Sequence, residues 1–142
     1  MVNVSKRQLP EKVENELIKQ LSALIVAQQN TRESRNLIFD LFTPAERVVF
    51  IKRVGIIALI QRGYSHNAIS EALHVSDTTV AKVANDLDRG KYAAIAATLE
   101  RREYRESILG ILESLITFGF NPQQRLRKQI RKDIESWRAG SK

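Results

Sequence analysis

A chain of 142 residues with 43% hydrophobic content carries enough apolar mass for one sizeable core and hardly for two, so a single domain over 1–142 is expected. The absence of cysteine excludes a disulfide framework, a thiolate metal site and a cysteine nucleophile, and leaves His66 and His74 as the only imidazoles; no metal, cofactor or catalytic set is expected. A formal net charge of +7 and an isoelectric point near 10.0 favour a polyanionic partner, nucleic acid before membrane surface.

The opening stretch MVNVSKRQLPEKVENE turns charged at once and has no apolar signal region, so a cytoplasmic protein is expected. Pro10 suits the first turn of a helix whose Val13, Leu17, Leu21, Leu24 and Ile25 recur at steps of three or four. Thr31 then suits the cap of a short helix bearing Leu37, Ile38, Leu41 and Phe42. In TPAE, Thr43 at the cap, Pro44 at the first helical position and Glu46 at the third predict a capping box. The helix it opens runs to Gly63, with Val48, Phe50, Ile51, Val54, Ile57 and Ala58 covering much of its circumference, and is expected at the centre of the core. Its longest apolar run, VGIIALI, falls short of the roughly 20 residues a membrane span needs, and no membrane partner is expected.

Two short helices follow. Ser65 caps the piece HNAISEAL, and Ser76 caps a second that runs to about Arg89 before Gly90. After the small-residue stretch KYAAIAAT, a helix of about 20 residues is expected to carry Leu99, Ile108, Leu109, Leu112, Leu115 and Ile116. Asn121 and Pro122 repeat the cap-then-proline signature and open a last helix with Leu126, Ile130, Ile134 and Trp137 on one side. No segment alternates with period two, so the fold class is all-α.

Residues 65 to 83, SHNAISEALHVSDTTVAKV, fit a helix-turn-helix, in which one helix braces a second that projects into a major groove. Ile69, Leu73, Val75, Val80 and Val83 are apolar where such a corner must be filled, and Ser70 is small where the helices approach. Ser76, Asp77, Thr78, Ala81, Lys82 and Asn85 are left facing outward, hydroxyl, amide and cationic groups of the kind that reach base edges or phosphates. Any two capped amphipathic helices with a short turn show a similar pattern, so a helical protein-interaction module is the bland alternative.

The stretch 41 to 87, LFTPAERVVFIKRVGIIALIQRGYSHNAISEALHVSDTTVAKVANDL, resembles the Trp repressor family. It shares TPxER at the start of a long helix, an Arg ten residues after the Thr, RG at the helix end, and the reader ending in L-x-V-S-x-x-T-V. The resemblance implies an obligate homodimer of interlocked helical subunits, binding double-stranded DNA through two recognition helices in successive major grooves. On this reading 36–90 is the Trp repressor-like helix-turn-helix core and 93–138 a C-terminal helical extension of two helices.

In the family's tryptophan-responsive members the indole lies between two arginines beside a threonine, a glycine and a serine. Arg53 and Thr79 match the first arginine and the threonine, and Thr43 a second threonine. Lys82, however, stands where the other arginine would be, Val83 in place of the glycine, and Asp86 in place of the serine that contacts the ligand's ammonium group. Lysine has no planar guanidinium to stack on an indole, and the valine side chain fills space the ring requires. Tryptophan is therefore not expected as a ligand, while Asp86 leaves another amine open. His74 also departs from the pattern, standing where the turn usually holds glycine; His tolerates positive φ better than most residues, so a left-handed backbone is expected there.

The expected DNA-binding set is Ser76, Asp77, Thr78, Thr79, Lys82 and Asn85 on the reader, with Arg62, Arg89 and Lys91 flanking it. Residues 121 to 142 hold seven of the 23 basic residues against Asp133 and Glu135, so most of the excess charge lies in the tail. Two readings of that tail stand: Arg125, Arg127, Lys128, Arg131 and Lys132 make further phosphate contacts, or they solubilise a helix that closes the core. The expected function is a transcriptional regulator. The DNA-binding part of a mobile-element recombinase is another reading, but no converging set of carboxylates supports catalysis, so an enzyme is not expected.

Overall fold

The computed structural model describes residues 6–118, together with Arg131, Ile134, Glu135, Ala139 and Gly140, whose backbone is helical. Through residue 118 the described residues form, in order, α1 (Glu11–Val26), α2 (Thr31–Leu41), α3 (Pro44–Gln61), α4 (His66–Leu73), α5 (Asp77–Asp88), α6 (Ala93–Glu100) and α7 (Arg102–Phe118). Among the described residues there is no strand, and the fold class is all-α as expected.

Local chemistry sets most boundaries. At the start of α3 the Glu46 N–H donates to Thr43 Oγ1 at 3.3 Å, and the Thr43 N–H and hydroxyl both donate to Glu46 Oε2 at 2.8 Å, completing the capping box. These bonds, the backbone one foremost, hold the Glu46 carboxyl below its ordinary range. Ser65 and Ser76 cap α4 and α5 by accepting from the Ala68 and Thr79 N–H groups. Three stops share one design: Gly63, His74 and Gly90 have φ of 87°, 51° and 82°. The next residue then donates to a carbonyl five positions back, Tyr64 to Leu59, Val75 to Ser70 and Lys91 to Asp86.

Three boundaries differ from expectation. Pro10 precedes α1 instead of entering it, because its ψ of 135° is extended while its carbonyl accepts from Val13 and Glu14. Asn30, not Thr31, caps α2: its side chain accepts from the Glu33 N–H at 3.0 Å, and Glu33 returns a bond to the Gln29 N–H. The small-residue stretch is itself helix α6 and holds Leu99, so the expected 20-residue helix is two. Alanine-rich sequence favours helix, and the chain breaks at Arg101, whose ψ of 131° is extended. Of the last expected helix, Arg131, Ile134 and Glu135 are helical, while Asn121, Pro122, Leu126, Ile130 and Trp137 lie outside the described residues.

The chain divides into two compact units, Met1–Ile51 and Lys52–Lys142. In the first, α1 and α2 bury no residue. The Phe42 and Phe50 rings stack tilted at 4.9 Å, and the guanidinium groups of Arg35 and Arg47 lie over the Phe39 ring at 4.5 and 4.2 Å. Val48, Val49, Phe50 and Ile51 are exposed, so the N-terminal half of α3 is not the core centre expected of it.

The second unit holds the core. Ile56, Ile57 and Leu59 from α3 meet Ile69 and Leu73 from α4, Val80 and Val83 from α5, Leu99 from α6, and Leu109 and Leu112 from α7. Burying each such side chain contributes roughly 1.5–3 kcal/mol. At Gly55 three helices converge: an added Cβ would meet Leu73 Cδ1 at 3.1 Å and Leu112 Cδ2 at 3.3 Å. Helix α4 is thereby braced on one side by α5 and on another by α7.

Candidate nucleic-acid interface

The corner between α4 and α5 is filled as its residue types require. Ile69, Leu73, Val80 and Val83 are buried and Val75 is half-buried, so α5 is held by one face. Thr78, Lys82 and Asn85 are exposed on another face at steps of four and three, with Asp77 exposed in the first turn. Asp77 there also offsets the dipole of α5.

The turn is secured from three directions. His74 adopts the left-handed conformation, φ 51° and ψ 54°, and its N–H and that of Val75 both donate to the Ser70 carbonyl. Ser70 contributes more than small size, because its hydroxyl donates to the Val75 carbonyl at 2.8 Å. The Lys52 ammonium, from α3, donates to the His74 carbonyl at 3.1 Å. Sequence reasoning missed Lys52, since nothing local marks a contact 22 residues away. A lysine inside the apolar run of α3 was its one available signal.

The expected contact residues fall into distinct groups. Ser76 and Thr79 hydroxyls lie 2.8 Å apart, and Ser76 also accepts the Thr79 N–H, so both belong to the cap of α5 while remaining exposed. Arg62, at the end of α3, lies 3.6 Å from Glu113 of α7, which accepts the Tyr64 hydroxyl at 3.1 Å. Loss of solvent around Tyr64, then that bond and the Glu113 charge, raise its pKa. Lys91 lies 3.5 Å from Asp86, whose side chain is 12% exposed and which is the buried acid of α5. The amine that Asp86 holds is thus one of the chain's own. Arg89 is exposed at the C-cap of α5. Of the tail cations, Arg125, Arg127, Lys128 and Lys132 lie outside the described residues, and Arg131 is exposed.

Among the described residues no group of three His, Asp or Glu could hold a metal ion, and no helix is long and apolar enough to cross a membrane. No curated protein and no solved structure matches the chain. The family model described as Trp repressor protein matches residues 16–103, which runs from within α1 to the start of α7. With the braced helix pair inside that span, the chain belongs to the Trp repressor family of helix-turn-helix DNA-binding regulators.

Proposed function

We propose that this protein is a homodimeric, sequence-specific regulator of transcription that binds double-stranded DNA by inserting α5 into the major groove, acts in the cytoplasm and carries no enzymatic activity. The observation that carries the reading is the two-faced character of α5. Val80 and Val83 anchor it, while Thr78, Lys82 and Asn85 stay exposed on a single face. Amide, hydroxyl and ammonium groups so placed match the donors and acceptors of base edges and phosphates. Ser76, Asp77 and Thr79 complete the groove-facing turn, and Arg89, with Arg62 and Lys91 where their carboxylate partners yield, supplies phosphate contacts. The whole chain, 1–142, acts as one domain with its reader core at 36–90 and an extension at 93–138.

The homodimer is supported by apolar surface that a single chain leaves uncovered. Leu17, Leu21, Ile25, Phe39, Val48 and Phe50 are all exposed, large apolar side chains of the kind that partner surfaces collect. Independence from tryptophan is supported by Lys82, by the buried Val83 and by Asp86, whose carboxylate already holds Lys91.

A mobility-shift titration with random DNA competitor tests the reading. Sharp preference for one short palindrome is the expected outcome, and absence of binding at low salt contradicts it. Calorimetry with tryptophan tests the second part: micromolar binding that tightens DNA association overturns it.

A further inference from the structure

A cleft of about 390 Å³ opens on the second unit between the end of α3 and the α6–α7 corner. Its volume is in the range that takes a small organic molecule. Two stripes build its walls. Ala58 and Gln61 on α3, with Arg62 just past its end, form one wall, and Arg105, Ile108 and Leu109 of α7 the other, Ile108 and Leu109 lying three and four residues after Arg105. Leu99, at the end of α6, closes the floor with Ala58 and Leu109, all three buried.

The polar rim is asymmetric. Gln61 directs its amide N–H to the Ala96 carbonyl at 3.1 Å, and Arg62 is shared with Glu113. Glu100 is the rim's acid, yet among the described residues no ion pair engages Arg105. A lining that combines Arg62 and Arg105 with Ala58, Leu99 and Leu109 suits an anion with an apolar body. None of the residues on α5, and neither Arg53 nor Thr43, takes part in it.

We infer that this cleft binds a small amphiphilic organic anion, with its ring or chain on Ala58, Leu99 and Leu109 and its carboxylate or sulfonate on Arg105 and Arg62. Arg62 joins the cleft to the reader. An anion on its guanidinium competes with Glu113, which is also the acceptor for Tyr64 at the turn into α4. An effector at this site therefore acts on the support of the helix-turn-helix and on Arg62, itself a proposed phosphate contact.

The test uses the full chain and needs no DNA. Anilinonaphthalene sulfonate is titrated by fluorescence against wild type, Arg105→Glu and Arg101→Glu, alongside the uncharged N-phenylnaphthylamine. A glutamate in the first turn of α7 favours that helix's dipole, so Arg105→Glu keeps its fold. Saturable binding of the sulfonate is expected at one site per chain, weakened about tenfold or more by Arg105→Glu and by less than about twofold by Arg101→Glu. The uncharged probe should bind more weakly than the sulfonate and respond to neither substitution. No saturable site, equal affinity for the two probes, or equal effects of the two substitutions overturns the inference.

Discussion

The Lys52 ammonium donates to the His74 carbonyl at 3.1 Å, joining the middle of α3 to the turn between the two helices of the reader. A cation at the C-terminal end of α4 also opposes the negative end of that helix's dipole. Replacing Lys52 with methionine keeps the apolar stem and removes the charge. Stability should fall by roughly 0.5–1.5 kcal/mol. Urea denaturation with an unchanged slope and a lowered midpoint is the expected result, and an unmoved midpoint shows that the bond contributes nothing.

His74 itself carries strain that glycine would not. A left-handed backbone at a non-glycine residue costs on the order of 1 kcal/mol. His74→Gly should thus be at least as stable as wild type, the relieved strain offsetting the freer unfolded chain. His74→Val, β-branched at φ 51°, should lose on the order of 1–2 kcal/mol. A His74→Gly protein less stable than wild type contradicts the strain argument.

Tyr64 and Glu113 make a prediction about pH. Because reduced solvation and the Glu113 carboxylate raise the Tyr64 pKa, the folded protein holds the phenol proton more tightly than the unfolded chain does. The stability this provides is present below the ordinary tyrosine pKa and is lost as pH rises through the raised value. Carbon-labelled tyrosine NMR resolves Tyr64 from Tyr92 and Tyr104. Its titration midpoint should fall in Glu113→Gln, where the negative charge is gone and Arg62 remains; an unmoved midpoint removes Glu113 as a cause.

What was legible in the sequence was local. Thr43, Ser65 and Ser76 act within three residues of themselves, and Gly63 and His74 stop helices through their own φ, so their roles needed no knowledge of the rest of the chain. The corner residues Ile69, Leu73, Val80 and Val83 were legible because spacing alone marks a helix face. Asn30 and Thr31 are adjacent residues that both cap well, and only the bond to Glu33 decides between them. Contacts spanning 22 or 49 residues, Lys52 with His74 and Tyr64 with Glu113, left no periodic trace. Asp86 was marked as an amine acceptor, but its occupant, Lys91, follows from the geometry of the Gly90 stop. The apolar excess of Val48 to Ile51 was plain, whereas its exposure was not, because periodicity marks apolar residues without marking what packs on them.

The basic tail supplies a prediction on affinity. With Lys82 the cation on the exposed face of α5, and Arg62 and Lys91 beside carboxylates, phosphate attraction must draw on further residues. Deleting residues 121 to 142, which hold seven basic side chains, should flatten the dependence of DNA affinity on salt concentration. A truncated protein that still folds and keeps the same slope assigns those charges to solubility alone.

Selection of bound duplexes from a randomised pool, carried out in parallel on wild type and Asn85→Ala, tests the role of α5 most directly. The wild-type protein should enrich one short palindrome with half-sites about one helical turn apart, and Asn85→Ala, which alters an exposed side chain of α5, should relax the preference at one base pair in each half-site. An unenriched pool from wild type, or the same sequence enriched equally by both proteins and by Lys82→Ala, contradicts it.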